Sequence, residues 1–148
     1  MTRIITLATA LFVFCPLLSL AAETPVGTIK TLKGKAAVIR NGKEVTVKTG
    51  SNVFREDHLK TGHDGAMAMV FKDDTLLSIG PDSEVVINDF LFSPAEGKLS
   101  IFTKLLKGTS AYLSGIIARL SPESVRFETP VAKVGIRGTK FAVSAEGE

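Results

Sequence analysis

The segment TPVAKVGIRGTKFAV, Thr129 to Val143, sets two glycines between two short apolar runs. Val134 and Ile136 carry even numbers, whereas Phe141 and Val143 carry odd ones. Side chains of a strand alternate between the two faces of its sheet, so these four residues cannot share one core in an unbroken strand. The pattern therefore predicts two strands joined by a bulge or a corner between residues 136 and 141.

The residues inside this predicted corner suit a tight change of direction. Gly138 is the natural position for it, because glycine accepts backbone angles that other residues avoid. Arg137 can donate up to five hydrogen bonds from a planar group, and Thr139 can add a side-chain bond to the same turn. The β-branched flanks argue against a phosphate-binding loop, which would open a helix. We predict that hydrogen bonds from Arg137 stabilise the corner. The alternative is that Arg137 binds a partner protein.

Alternation of apolar residues extends through most of the remaining chain. GAMAMVF places Met67, Met69 and Phe71 on one face of a strand. NGK, Asn41–Lys43, is a hairpin signal between KAAVIR and EVTVKT. KDD, Lys72–Asp74, is interpreted as a turn, because aspartate side chains bond nearby backbone. Short strands with such frequent turns predict an all-β domain.

Two further patterns refine the predicted fold. Glycines at positions 27, 34, 42 and 50 recur every seven to eight residues, a spacing that suits the short rungs of a β-solenoid. A β-sandwich is the alternative. The segment SAYLSGIIARLSPE, residues 110–123, has apolar residues at helical spacing between Gly115 and Pro122. We therefore predict one short helix near residues 111–120.

Residues 1–22 have the pattern of a secretory signal peptide. Arg3 precedes an uncharged apolar run that ends in small residues at Ala21 and Ala22. We predict cleavage near Ala22, which leaves residues 23–148 as one exported domain. The alternative is an uncleaved anchor in the inner membrane, because the run is close to the roughly 20 residues of a spanning helix. The single cysteine, Cys15, lies in this segment, so the mature chain is expected to lack disulfides and thiol chemistry.

The charge of the mature chain is close to neutral. Without Arg3, 17 of the 18 lysines and arginines remain, against 15 aspartates and glutamates. This balance lacks the basic patch expected of a nucleic-acid-binding protein and the polybasic segment that binds anionic membranes. We therefore expect no nucleic-acid partner and no membrane-spanning segment once the signal is removed.

Two polar stretches contain residue types that can carry out chemistry. REDHLKTGHDG, residues 55–65, contains two histidines and several carboxylates, which are residue types that bind metals. Their spacing matches no ligand pattern, so the stretch is interpreted as a polar loop between strands. The carboxylates of Asp73 and Asp74 can act as acid and base, but the turn explains them. The sequence predicts no catalytic residue, no cofactor and no metal.

The segment from Thr129 to Val143 resembles the signature of FecR-like domains, a Thr-Pro followed by apolar residues, Arg-Gly-Thr, an aromatic residue and a valine. The residues that carry it are Thr129, Pro130, Gly135, Arg137, Gly138, Thr139 and Phe141. The opening hairpin and the KTG turn fit the family in order, as do the strand, Asp turn and PDS that follow them. The resemblance covers residues 26–143, nearly the whole predicted mature chain.

The resemblance implies a β-rich, solenoid-like domain outside the inner membrane of Gram-negative bacteria that binds other proteins. The family's iron-citrate regulator also has anti-sigma and transmembrane parts, but only a signal-like segment precedes the domain here. The family has no catalytic residues to transfer. We therefore expect a periplasmic or secreted, non-enzymatic module that binds a protein of the cell envelope or takes part in signalling. The alternative is a structural scaffold of the cell envelope that self-associates or contacts glycan.

The end of the sequence leads to one further expectation. Family members usually continue into more strands, whereas this sequence stops five residues after Val143. The strand around Phe141 is then expected at a sheet edge, which is a template for pairing. Either the domain is truncated at its C-terminus, or a partner or a second copy covers this edge, which allows a homo-oligomer.

The predicted stabilising role of Arg137 at the corner can be tested by substitution. Replacing Arg137 with alanine should lower the free energy of unfolding by more than the about 0.5 kcal/mol typical of a surface change, because the corner loses its hydrogen-bond donor. Denaturant unfolding measures this difference. An unchanged stability together with lost partner binding would assign Arg137 to docking instead.

Overall fold

The computed structural model describes residues 21–136 and 138–147. The predicted signal segment, apart from Ala21 and Ala22, lies outside the described residues, and so does Arg137. The strands are β1 Gly27–Lys33, β2 Ala36–Arg40, β3 Lys43–Val45, β4 Asn52–Val53, β5 His58–Thr61, β6 Ala66–Phe71, β7 Leu76–Ile79, β8 Glu84–Ser93, β9 Lys98–Leu113, β10 Val125–Glu128, β11 Lys133–Gly135 and β12 Lys140–Ala145. One α-helix, α1, spans Ile116–Leu120, and 3₁₀ turns cover Pro94–Glu96 and Pro122–Ser124.

The strands form one curled sheet whose two halves share β9. Residues 98–107 of β9 pair with β8, and β5, β2 and β3 follow outward from it. Residues 110–113 pair with β7 on one side, residues 108–113 pair with β12 on the other, and β6, β1 and β4 follow β7. β10 joins the first part of β9 and carries β11. We call these parts the β8 half and the β7 half.

The passage of β9 from one half to the other occurs at Gly108. Its φ is +87°, in the left-handed region that residues other than glycine rarely adopt. A Cβ at this position would clash with Ser83. Ser83 Oγ also accepts a hydrogen bond of 2.9 Å from the N–H of Thr109. The bend is therefore both permitted by glycine and held by the neighbouring serine.

The two halves pack their apolar faces against each other. Phe71 of β6 stacks on Phe90 of β8 with ring centroids 5.3 Å apart, which joins the β7 half to the β8 half. Met67, Met69 and Phe71 are all buried, as their alternation predicted. The largest fully buried side chains of the described residues are Tyr112, Phe71, Phe127, Ile29, Leu59, Met67, Met69, Leu77, Ile87, Ile101, Leu105 and Ile117.

The all-β prediction is confirmed, and so is the NGK hairpin. Asn41 and Gly42 have φ of 51° and 74° between the paired ends of β2 and β3, the positive angles that such a two-residue turn needs. The solenoid arrangement is not confirmed. Among the described strands, the only parallel pair is β10 with β9, whereas a β-solenoid stacks parallel rungs.

Two local predictions need correction. The helix is shorter than predicted, because Tyr112 and Leu113 still belong to β9 and α1 begins only at Ile116. The polar stretch 55–65 is not a continuous loop, because His58–Thr61 forms β5 between β2 and β8. Its alternation is short and its outward residues are polar, so the apolar signal of a strand was weak. The described residues contain no helix with the length and apolar character required to cross a bilayer.

An ion pair between the partly exposed Arg40 and a buried carboxylate joins β2 to the turn before β5. The Asp57 side chain is fully buried and accepts hydrogen bonds from Arg40 Nε at 2.8 Å and Nη2 at 2.7 Å. Asp57 Oδ2, which accepts the bond from Arg40 Nη2, also accepts the backbone N–H of Phe54 at 2.9 Å. The Arg40 guanidinium lies 4.4 Å from the centre of the Phe54 ring. The planar, two-pronged geometry is one that lysine could not reproduce.

This pair allows a matched test of stability. Replacing Arg40 with alanine should lower the free energy of unfolding by about 3 kcal/mol, because the buried Asp57 loses its counter-charge. The control is Arg55→Ala, which breaks a solvent-exposed pair with Asp89 at 3.5 Å and should cost no more than about 0.5 kcal/mol. Chemical denaturation of both variants measures the difference, and equal losses would contradict the assignment.

Candidate functional site

The β10–β11 hairpin ends in a turn that we call the tip, Thr129–Ala132. Thr129 N–H donates to the carbonyl of Ala132 at 2.8 Å, and the N–H of Ala132 donates to Thr129 Oγ1 at 3.1 Å. Pro130 lies inside the turn, where its ring restricts the backbone. Val131 follows it with 92% of its surface exposed. The tip thus holds an apolar side chain in solvent on a closed turn.

After β11 the chain changes from one half of the sheet to the other. β11 pairs with β10 in the β8 half, whereas β12 pairs with β9 in the β7 half. This crossing lies between Gly135 and Lys140, an interval that overlaps the corner predicted between residues 136 and 141. Gly138 has a φ of +112°, which only glycine adopts readily. The stabilising role of Arg137 stays a prediction, because that residue is outside the described part of the chain.

The described contacts of the corner come from a residue that the sequence did not indicate. Ser114 N–H donates to the carbonyl of Thr139 at 2.8 Å, and Ser114 Oγ donates to the carbonyl of Gly138 at 3.2 Å. Thr139 thus contributes its backbone oxygen to these bonds. Ser114 follows directly after β9 and lies far from the corner in sequence, so no local pattern predicts the contact.

Phe141 anchors the segment after the corner. Its ring stacks on that of Tyr112 of β9, with the ring centroids 5.0 Å apart. It also meets the ring of Phe127 of β10 edge to face, with the centroids 5.4 Å apart. Tyr112 and Phe127 also contact each other at 6.2 Å. Burial raises the pKa of the Tyr112 hydroxyl above its ordinary value. This aromatic cluster joins β9, β10 and β12, and it gives Phe141 a structural role.

The KDD turn is a structural anchor rather than a pair of free carboxylates. Asp73 is fully buried, and its carboxylate accepts the N–H of Thr75 at 3.1 Å, the hydroxyl of Thr75 at 2.8 Å and the N–H of Ile117 at 3.2 Å. The turn between β6 and β7 therefore holds the start of α1. Asp74 has a φ of 65°, as a tight turn requires.

The two histidines of the polar stretch are directed to different partners. His58 Nδ1 lies 3.2 Å from Glu84 Oε1, and His63 Nδ1 lies 2.9 Å from Asp82 Oδ2. The hydrogen bond with Asp82 raises the pKa of His63 above its ordinary value. Among residues 21–136 and 138–147, no group of three or more histidine, cysteine, aspartate or glutamate residues could hold a metal ion.

A groove of about 470 Å³ lies beside the tip. Leu106, Pro130 and Val131 contribute apolar surface to it, and Lys104 and Lys133 contribute charge. Glu128 also lines the groove, with its carboxylate 3.9 Å from Lys104 Nζ. β11, which borders the groove, pairs only with β10 among the described strands. The groove therefore combines apolar surface, positive charge and an open strand edge.

Comparison with known proteins identifies the family. A family model described as FecR protein matches residues 57–148, which is more than half of the chain. The chain therefore belongs to the FecR family, a signalling-related family. The match includes the tip, the corner and β12, and it begins just before β5. No curated protein and no solved structure matches this chain.

The two glycines that bracket the corner provide a matched pair of variants. Gly138→Ala should lower the free energy of unfolding by about 1–3 kcal/mol, because a methyl group strains a backbone with φ of +112°. Gly135→Ala is the control, since a Cβ there would meet nothing within 4 Å, and it should change stability by no more than about 0.5 kcal/mol. Thermal unfolding distinguishes the two, and an equally tolerated Gly138→Ala would contradict the strain.

Proposed function

We propose that this chain is an exported, non-enzymatic module of the bacterial cell envelope that binds another protein through its tip and the adjoining groove. The observation that carries the proposal is Val131, an apolar residue that is 92% exposed on a turn closed by the Thr129–Ala132 bonds. A preformed turn loses little conformational freedom on binding. Burial of such a side chain by a partner is therefore favourable.

The chemistry of the groove favours an extended protein segment with acidic residues. β11 offers an open strand edge, to which an extended segment can add main-chain hydrogen bonds. Leu106, Pro130 and Val131 can receive apolar side chains of that segment. Lys133 is exposed beside them, and its positive charge complements a carboxylate.

Support for export comes from the sequence. The charged start, apolar middle and small residues at Ala21 and Ala22 fit a cleaved signal peptide. The proposed location is the periplasm or the exterior, with anchoring in the inner membrane as the alternative. A signalling partner in the envelope fits both the location and the FecR family.

Site-specific crosslinking in cells tests the proposal. A photoreactive amino acid at Val131 should give one adduct of defined mass, because the tip is buried by the partner. The control position is Lys43, an exposed residue at the start of β3. Val131→Asp, which leaves the core untouched, should reduce binding of the captured partner at least tenfold. Equal adducts from both positions, or none from either, would overturn the binding role.

Processing is measured on the same cells. Mass spectrometry should find a mature chain that begins near Glu23 in the soluble envelope fraction. An intact N-terminus in the membrane fraction would replace export with anchoring, while the crosslinking result would still decide whether the tip binds a protein.

A further inference from the structure

Strand β12 forms an open edge of the β7 half. It pairs with residues 108–113 of β9, and the other side of that part of β9 is occupied by β7. Within the described residues, no strand pairs with the outer side of β12. The register from Lys140↔Leu113 to Ala145↔Gly108 runs without a bulge. β12 therefore presents a straight row of backbone groups to which another strand can pair.

The direction of these groups follows from one hydrogen bond. The carbonyl of Thr139 accepts the N–H of Ser114 at 2.8 Å, so Thr139 faces β9. In an antiparallel pair every second residue directs both backbone groups to the same neighbour. The intervening residues Lys140, Ala142 and Ser144 therefore direct their N–H and C=O groups outward.

The sequence of this edge lacks the usual protection against pairing. Natural edge strands carry proline, bulges or central charges that prevent association. Here Ala142 and Ser144 are small and exposed, and Val143 between them is half-buried. The charged residues are confined to the two ends, with Lys140 at the start and Glu146 just after the strand.

We infer that two copies of this chain pair antiparallel through β12, with the twofold axis at Val143. In this register Ala142 of one copy bonds with Ser144 of the other, and Lys140 lies opposite Glu146. A twofold axis repeats each of these contacts, so both ends of the interface gain an opposite-charge pair. Opposite charges directly across two strands are stabilising, and like charges are destabilising.

Within residues 140–146, the positions of the charges favour this arrangement over its alternatives. Sliding the second copy by two residues moves the twofold axis to Ala142 and places Lys140 opposite Ser144, which leaves both ends without a counter-charge. A parallel arrangement places Lys140 beside its own copy, where the like charges repel. The seven residues KFAVSAE, 140–146, are therefore complementary to themselves in one antiparallel register.

Cysteine crosslinking of the full chain, in a Cys15→Ser background, tests the register. In the inferred dimer the two Val143 residues form a non-hydrogen-bonded pair with Cα atoms about 4.5 Å apart, a distance within the range of a disulfide. The Val143→Cys variant should therefore form a covalent dimer on mild oxidation. Ala142→Cys is the control, because position 142 lies opposite position 144 of the second copy and not opposite itself.

Charge reversal tests the same register on exposed side chains. Lys140→Glu and Glu146→Lys should each raise the dimer dissociation constant about tenfold, because each sets like charges opposite one another. The double variant restores both opposite-charge pairs with the two charges exchanged, so it should dimerise like the original chain. Sedimentation over a range of concentrations measures the constants, and circular dichroism checks that each variant is folded.

Each result decides the inference. A concentration-dependent dimer, restored by the double variant and crosslinked only through position 143, supports it. A chain that stays monomeric at every concentration overturns it, and so do equal crosslinking of the two cysteine variants and a dimer that is insensitive to both charge reversals. If Val143→Cys does not fold, the charge-reversal series alone decides between dimer and monomer.

Discussion

The hydrogen bonding of β9 to both halves of the sheet is the constraint on which the rest of the structure depends. Each half has one apolar face, and a face of this kind must be buried against another element. β9 brings the two faces together, because its start pairs with β8 and its end with β7 and β12. The bend at Gly108 sets the angle between them. The aromatic contact of Phe71 with Phe90 follows from that closure.

Asp57 and Asp73, which the sequence offered as candidate metal-binding or acid–base groups, stabilise the fold. Asp57 joins β2 to the turn before β5, and Asp73 joins the β6–β7 turn to α1. In both cases several donors surround a buried side chain, so its oxygens are occupied by the fold itself. Buried charge is tolerable only with such compensation. An acidic residue near a turn can therefore mark a connection between two elements as readily as a catalytic or metal-binding group.

Local patterns in the sequence were sufficient for the strand class, the NGK hairpin and the inward face of β6. Alternation is a property of neighbouring residues, and burial of Met67 and Met69 follows from it directly. The pairing partners were not accessible in this way. The contacts of Arg40 with Asp57 and of Ser114 with the corner join residues far apart in sequence, and they depend on how the whole sheet curls. The parallel pairing of β10 with β9 likewise depends on the crossover through α1.

The length of β9 has a consequence for how the domain loses its structure. Its 16 residues, Lys98–Leu113, extend through both halves, so neither half retains a complete set of strands if the other opens. The tip, carried on β10, and β12 rest on the same strand. The domain is therefore expected to unfold in a single cooperative step, with equal calorimetric and van't Hoff enthalpies. Two separate heat-absorption peaks would show instead that Gly108 divides the molecule into independent folding units.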